Sequence, residues 1–529
     1  LLMTRENADM SSWQRGGPIS VNAPIGIIGT GTMGSGIAQV AAAAGHVVKI
    51  FDAVPAAIAQ AVRNIETGLR RSADRGKLSE HEALAAKNRI VPVTELKQLA
   101  DAGLIIEAIV EDLEAKRELL CQVEKVVSSD CILATNTSSL SVTELAGALE
   151  RPERFAGMHF FNPAPLMELT EIISGLTTDP KTMSTVAATA KAWNKTPVLA
   201  RSTPGFIVNR VARPFYAEAL RLLSEQAADH ATIDELIRES GGFRMGPFEL
   251  MDLIGNDINF AVTQSVFRAS FFDPRFTPSL IQQELIQAGF LGRKSGRGFY
   301  CYNQEATPPV PVFEPPMPSP GTVLLFQAQP ATELLLSRLR ESFPLASEYS
   351  EGTDANQVAQ ADEAVLRLTD GRTAARVARE LSAPNTVLVD LAYDYGRART
   401  VAVTRAGQCS DRAYRSAVGL LQAAGFNVVY LKDLPGLAVM RVVAMIINEA
   451  ADAIHYGVSN VSDVDLAMSK GANYPAGPFA WAAKLGTTVL YQVLKNLAIH
   501  YGEDRYRISP LVEGSFWNGR RLDETASCR

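Results

Sequence analysis

An α/β Rossmann-type domain followed by an all-helical domain, then a degenerate α/β segment and a second copy of the helical domain, is the fold that three features of this 529-residue chain predict. A glycine-rich turn joins an apolar run to an Ala-rich stretch near the start. Near residue 204, short apolar runs alternating with amphipathic stretches give way to helix after helix. An internal repeat then returns at constant spacing.

The turn is Ile25-Gly-Ile-Ile-Gly29-Thr-Gly31-Thr-Met-Gly34-Ser-Gly36. Pro24–Gly29 reads as a buried strand, Ser35–Gly45 as a helix, and His46–Phe51 as a second strand ending at Asp52. Gly29 permits the sharp turn, Gly31 lets backbone approach a pyrophosphate, and Gly34 lets helix and strand pack closely. Free N–H groups and the positive end of the helix dipole attract anionic phosphate, so Gly29, Gly31, Thr32, Met33 and Gly34 form the candidate cradle. Asp52 stands at about the 20-residue spacing of a ribose-binding acid, and its charge repels a 2′-phosphate. The four parts together imply a Rossmann-type domain that takes NAD rather than NADP; a lone glycine motif could equally be a plain strand–helix joint.

The elements follow in order. Residues 1–23 are polar, without an apolar signal core, and read as a loose tail. Residues 24–203 read as a doubly wound parallel sheet, with further core strands at Leu104–Val110 and Cys131–Thr135 and a capping box at Ser141 and Glu144. Residues 204–302 are helical, and 303–320, rich in proline, read as an extended linker. Residues 321–433 show strand-like runs at Thr322–Phe326, Ala364–Leu368, Thr386–Leu391 and Asn427–Leu431. This degenerate α/β segment has no glycine motif and reads as structural. Residues 434–529 are the second helical domain: Thr203-Pro-Gly-Phe-Ile-Val-Asn-Arg210 returns as Leu434-Pro-Gly-Leu-Ala-Val-Met-Arg441, and Glu218, Asp234 and Gly246-Pro-Phe248 meet Glu449, Asp465 and Gly477-Pro-Phe479 without a gap.

A formal charge of −6 argues against nucleic acid as the main partner. No apolar run is long enough to span a bilayer, so no membrane association is expected. Five scattered cysteines without CxxC or neighbouring histidines offer neither a metal site nor a disulfide framework and suit a cytoplasmic location.

Oxidising an alcohol against a nicotinamide requires a base for the hydroxyl proton. Of six histidines, His159 alone lies on an apolar strand ending in a turn, Arg154-Phe-Ala-Gly-Met-His-Phe-Phe-Asn-Pro163, where strand ends face a cofactor crevice. An ordinary core histidine is the bland alternative. Glu171 and Glu168 both compete to orient its ring. Ser138, directly after a core strand, offers a hydroxyl or merely a helix cap, and Asn209 offers an amide at the start of the first helical copy. Under the repeat, His159 falls opposite Asp390, Glu171 opposite Ala402 and Asn209 opposite Met440, so one working site per chain is expected.

Together these residues resemble the L-3-hydroxyacyl-CoA dehydrogenase family. The likeness is carried by GIIGTGTMGSGIAQ, the Glu107–Glu111 run with Lys116, ATNTSSL, RFAGMHFFNPAP, STPGFIVNR, MGPFELMDLIG and LGRKSGRGFY, in order from Pro24 to about Tyr302. The resemblance implies His159 as base, Glu171 as its partner, and Ser138 and Asn209 on substrate oxygens. It also implies Asp52, Glu111, Lys116, Asn136, Ser138 and Asn162 at the NAD site and an acyl-CoA substrate. The two-copy form, with INEA, NYPAGPFAW and HYGEDRYR, resembles the long bacterial 3-hydroxyadipyl-CoA dehydrogenases of phenylacetate catabolism, and only that likeness implies a dicarboxylic chain. A departure concerns coenzyme A: Gly68 and Arg75 stand where relatives use a serine and a lysine, leaving Arg70, Arg71, Arg75 and Lys77 as a basic run.

Alternatives are a short-chain 3-hydroxybutyryl-CoA or other hydroxyacid dehydrogenase and, in another class, a non-catalytic NAD-binding structural protein. The duplicated helical domain predicts an internal pseudo-dimer, and the sequence also allows a homodimer.

Overall fold

The computed structural model describes residues 16–303, 309–327, 330–348 and 356–527. Eight strands form the first sheet: β1 Ile25–Ile28, β2 Val48–Phe51, β3 Ile90–Pro92, β4 Leu104–Glu107, β5 Ile132–Thr135, β6 Phe155–Phe160, β7 Leu169–Ser174 and β8 Thr196–Arg201, in the order β3-β2-β1-β4-β5-β6-β7-β8. The expected core strands are present, but the sheet is not wholly parallel: β6 and β7 pair antiparallel, which sets His159 directly opposite Glu171. The helix after the glycine turn runs Thr32–Ala43, starting earlier than Ser35, because Gly31 already serves as its N-cap. Ser141 does cap the helix Val142–Ala146, accepting from the Glu144 N–H at 3.2 Å. Residues 16–23 are not a loose tail. Gly16 and Ile19 donate backbone hydrogen bonds to Ser184 and Thr189 on the helix Pro180–Ala192, and Ile19 packs on the core. Residues 1–15 of that tail lie outside the described residues.

Among the described residues the second sheet has seven strands: β9 Val323–Leu325, β10 Ser347–Glu348, β11 Gln357–Ala361, β12 Ala364–Leu368, β13 Thr386–Val389, β14 Thr400–Arg405 and β15 Asn427–Tyr430, ordered β10-β9-β11-β12-β13-β14-β15. Strands β12 to β15 repeat the parallel, antiparallel, parallel pairing of β5 to β8. The shift of 231 residues that aligns Gly205 with Gly436 also carries Leu169–Ser174 onto Thr400–Arg405. The repeat therefore extends upstream through four strands, and what the second copy lacks is the β1–β4 half with its glycine loop. Of the proline-rich linker, residues 304–308 lie outside the described residues. The remainder is extended but not free: Glu314 N–H donates to Val428 O at 2.7 Å and Met317 N–H to Gln422 Oε1 at 2.7 Å.

Both helical copies open on the same left-handed pair, Gly205 (φ 76°) with Phe206 (φ 49°) and Gly436 (φ 76°) with Leu437 (φ 51°). Such backbone is rare outside glycine, so its recurrence marks a shared turn. Later helices start in register: His230–Glu239 and Val461–Gly471, Pro247–Ile254 and Pro478–Leu485, Asn256–Ala269 and Thr487–Tyr501.

The chain divides into two compact units, one comprising residues up to 208 with 457–472, the other 209–456 with 473–528. Segment 457–472 belongs to the second helical copy in sequence yet packs in the first unit, for an identifiable reason. Strand β8 is a sheet edge with open backbone groups. Val458 O accepts from Arg201 N–H at 2.8 Å, Asp463 accepts from Leu199 N–H at 2.9 Å, and Ser459 Oγ donates to Leu199 O at 2.6 Å. In the other unit, Lys432 N–H donates to Ala227 O at 3.2 Å, which is the same contact moved by one repeat. Each helical copy thus covers the sheet of the other.

Within the second unit the exchange recurs as ion pairs. Arg210 Nε meets Glu449 Oε1 at 2.6 Å, and its counterpart Arg441 Nε meets Glu218 Oε2 at 2.7 Å. Reciprocal contacts of this kind are the mark of a two-fold interface. Glu449 is fully buried and also pairs with buried Arg275 at 2.9 Å. Glu449→Ala takes the carboxylate from Arg210 and leaves Arg275 with Asp452 alone, and is expected to cost about 3–5 kcal/mol in urea unfolding, against less than about 1 kcal/mol for Lys49→Ala, whose partner Asp101 is exposed. Equal losses would contradict the assignment of this pair to the interior.

Candidate active site

The cradle forms as its residues dictate. Gly29 has φ 92°, and a Cβ on Gly34 would stand 1.8 Å from Gly29 O, so neither position admits a side chain. Gly31 differs: its φ is −64° and a Cβ there meets nothing within 4 Å. The helix it starts has no side-chain cap and no acid in its first turn, which leaves N–H groups of Thr32, Met33 and Gly34 for an anion. Asp52, beyond the end of β2, accepts from Thr30 N–H at 2.8 Å and Thr30 Oγ1 at 3.0 Å on one oxygen and from Val54 N–H at 2.9 Å on the other. Its position on the glycine turn suits ribose hydroxyls, and the open Gly31 face suits a pyrophosphate. These residues fit NAD.

Beside the cradle lies a carboxylate network. Lys116 is buried, donating to Glu107 Oε1 at 2.7 Å and lying 3.2 Å from Glu111 Oε2. Glu107 also accepts from Thr135 Oγ1 at 2.6 Å. Glu111 Oε1 gathers the hydroxyl of Thr137 at 2.6 Å and the N–H groups of Ser138 and Ser139 at 2.8 and 3.0 Å. Burial works to raise the Glu111 carboxyl, but Lys116 and these donors outweigh it and hold it below its ordinary value. Ser138 Oγ sits 3.3 Å from Glu111, half-buried in the loop after β5. Sequence reasoning named Glu111, Lys116 and Ser138 but missed Glu107, Thr137 and Ser139. A buried lysine demands a carboxylate, and Glu107, nine residues before Lys116, was the available signal. Asn136 Oδ1 accepts from Phe160 N–H at 2.9 Å, tying the ends of β5 and β6, and Asn162 is exposed just past β6.

His159 and Glu171 meet. Nδ1 lies 2.7 Å from Glu171 Oε2, with both side chains buried. A carboxylate can only accept, so Nδ1 carries the proton and Nε2 is left basic. Nε2 has no hydrogen-bond partner among the described residues. Glu171 Oε1 accepts from Ile207 N–H and Val208 N–H at 3.0 Å each. Phe161 and Phe206 flank the imidazole with centroids 4.6 and 6.0 Å away. Glu168 is not a competitor: it is exposed and pairs with Lys470 at 2.7 Å. Asn209 follows Val208 directly in the chain and begins the second unit.

In the second copy Asp390 stands at the place of His159 and Ala402 at that of Glu171. Asp390 accepts from the N–H groups of Ala438, Val439 and Met440 at 2.7–3.0 Å, two of them the counterparts of the amides that Glu171 holds. The helix anchor survives there, moved to the neighbouring strand, without an imidazole.

Three family profiles match in sequence. The NAD binding domain of 3-hydroxyacyl-CoA dehydrogenase matches residues 24–203, its C-terminal domain matches 205–302 and again 436–526, and a 3-hydroxybutyryl-CoA dehydrogenase reduced Rossmann-fold domain matches 366–435. A 3-hydroxyadipyl-CoA dehydrogenase of Escherichia coli K12 is 43% identical over 92% of this chain and 96% of its own length. The chain belongs to the 3-hydroxyacyl-CoA dehydrogenase family. It is thus an NAD-dependent 3-hydroxyacyl-CoA dehydrogenase. The crystal structure of a 3-hydroxybutyryl-CoA dehydrogenase from E. coli K12 superposes with a TM-score of 0.85 at 41% identity, covering 94% of this chain and 98% of that one. A Bacillus subtilis relative named probable 3-hydroxybutyryl-CoA dehydrogenase is 39% identical over 53% of this chain and 98% of its own length, so it spans one copy. Among the described residues no helix is long and apolar enough to cross a membrane.

Gly31→Ala tests the cradle cleanly, since the added methyl clashes with nothing in the protein but occupies the space where backbone approaches the pyrophosphate. Calorimetry is expected to show NAD affinity lowered at least about tenfold with thermal stability unchanged. Unaltered NAD binding would remove Gly31 from the site.

Proposed function

We propose that the enzyme oxidises an (S)-3-hydroxyacyl-CoA to the 3-oxoacyl-CoA at the His159–Glu171 pair, one site per chain. Bound NAD would supply the hydride acceptor for C3, leaving as NADH. Gly29, Gly31, Thr32, Met33 and Gly34 would hold its phosphates and Asp52 its ribose, with Glu111, Lys116, Asn136, Ser138 and Asn162 shaping the rest of its bed. His159 Nε2 takes the hydroxyl proton, and Glu171 stabilises the imidazolium that results. Ser138 Oγ and the Asn209 amide hold the substrate oxygens, which confines the alcohol to a reactive orientation. The observation that carries this reading is the 2.7 Å contact of a buried imidazole with a buried carboxylate, leaving one basic nitrogen uncommitted.

The substrate we favour is 3-hydroxyadipyl-CoA, within phenylacetate breakdown in the cytoplasm. The E. coli relative that shares nearly the whole two-copy length bears that name. A second reading, 3-hydroxybutyryl-CoA, is favoured by the E. coli crystal structure, whose protein is named for that substrate. The internal exchange of contacts supports a pseudo-dimer inside each chain, on which a homodimer could be built.

His159→Ala is expected to lower kcat by about 10²–10⁴-fold while calorimetry shows NAD still bound. Glu171→Gln keeps an acceptor for the helix amides but loses the charge, so kcat falls with little change in melting temperature. Turnover retained in His159→Ala would remove the imidazole from the mechanism. NADH absorbance across 3-hydroxyadipyl-CoA, 3-hydroxybutyryl-CoA and free 3-hydroxy acids distinguishes the substrate readings, and activity on the free acids alone would overturn both.

A further inference from the structure

We infer that Arg213 anchors a site for the distal carboxylate of a dicarboxylic acyl chain, where the first helical copy meets the second. The inference rests on the adipyl reading above and names the residue that would select that substrate.

Arg213 opens the helix Arg213–Ser224 and is 5% exposed. Its Nε donates to Asn209 O at 2.7 Å and its Nη1 to Thr263 Oγ1 at 3.0 Å. Tyr216 lies beneath the guanidinium, 4.9 Å from centroid to carbon. No carboxylate lies within ion-pair distance of it among the described residues. The other buried cations nearby are matched: Arg275 meets Glu449 and Asp452, and Arg441 meets Glu218 and Glu225. An uncompensated buried charge is costly, and burial pulls this guanidinium below its ordinary value with no acid to offset it.

Arg213 lines a cavity of about 360 Å³, together with Tyr216, Leu220, Thr263, Gln282 and Arg505. A second group there is also unfulfilled: Arg505 Nε is buried without a hydrogen bond, 4.0 Å from its nearest carboxylate oxygen on Glu503. Two other charges line the wall, but both are engaged. Arg221 pairs with Glu503 and Glu225, and Glu225 is shared with Arg441 and Tyr501. The cavity therefore presents net positive charge beside apolar Leu220 and Tyr216, which is the chemistry of a carboxylate on a short hydrocarbon chain.

Reach agrees. Arg213 lies four residues beyond Asn209 and its Nε reaches the Asn209 backbone oxygen at 2.7 Å, and Asn209 is the proposed holder of a substrate oxygen. In a six-carbon diacid, three bonds of about 1.5 Å separate C3 from the distal carboxyl carbon. A phosphate of coenzyme A would be recognised by the same guanidinium, and the test separates the two sources.

Wild type, Arg213→Gln and Arg213→Lys are assayed with 3-hydroxyadipyl-CoA and with 3-hydroxyhexanoyl-CoA, which has the same chain length and coenzyme but a terminal methyl. Arg213→Gln is expected to raise KM for the adipyl substrate by about 10–100-fold, with kcat/KM for the hexanoyl substrate within about twofold and partial recovery in Arg213→Lys. Equal losses on both substrates would assign the arginine to coenzyme A or to packing, and overturn the proposal; so would no loss on either. Thr263→Val, which frees the guanidinium without removing it, should weaken the adipyl substrate alone by a few-fold, and a loss shared by both would count against the site even if Arg213→Gln does not fold. A wild-type enzyme that prefers the hexanoyl chain refutes the adipyl reading itself, whereas adipyl preference retained by Arg213→Gln refutes only the site.

Discussion

The Glu171 carboxylate is held at three points, and much of the first unit depends on it. One oxygen faces the imidazole of His159, and the other receives two N–H groups at the start of the first helical copy. A charge buried this completely is tolerable only when its lone pairs are satisfied. The same bonds that make it tolerable fix the ring and anchor the chain that leads to Asn209. Orientation of the imidazole and anchoring of Ile207 and Val208 thus rest on one carboxylate, and the antiparallel pairing of β6 with β7 makes this possible by bringing residues 159 and 171 face to face.

The second copy separates those two duties. Asp390 anchors the equivalent helix amides but does so from the strand position that His159 occupies in the first copy. An acceptor for those amides is thus common to both copies, whereas the imidazole belongs to the first copy alone. Duplication also resolves an edge problem. Strand β8 is closed by residues 458–463 of the later copy, and the matching contact from Lys432 to Ala227 closes the reciprocal position. Retaining a second sheet that lacks a cradle makes physical sense if its work is to carry the helical copy that completes the pair.

Local requirements were legible in the sequence because they act within a few residues. Gly29 and Gly34 need glycine for reasons of φ and of a 1.8 Å approach, and the strand, turn, helix and acid around them follow one another along the chain. Repeat spacing was legible for the same reason, since Pro, Gly and Asp recur in step. Pairings across the sheet were not. Glu168 and Glu171 could not be ranked without the register of β7, whose first residue is Leu169. The covering of β8 by residues more than 250 positions later leaves no local trace, and residues 16–23 gave no sign of packing on the helix Pro180–Ala192 because their hydrogen bonds use backbone N–H groups. Glu107 and Thr137 were overlooked because their importance comes from burial beside Lys116 and Glu111, which composition does not reveal.

The most direct measurement of the central claim is the tautomer of His159, read from its ring ¹⁵N chemical shifts with the ring neutral. Glu171 as acceptor requires the proton on Nδ1 and a bare Nε2, and Glu171→Gln should blur that preference. A proton found on Nε2 in the wild-type enzyme would contradict the account, because the nitrogen assigned to take the substrate proton would already carry one.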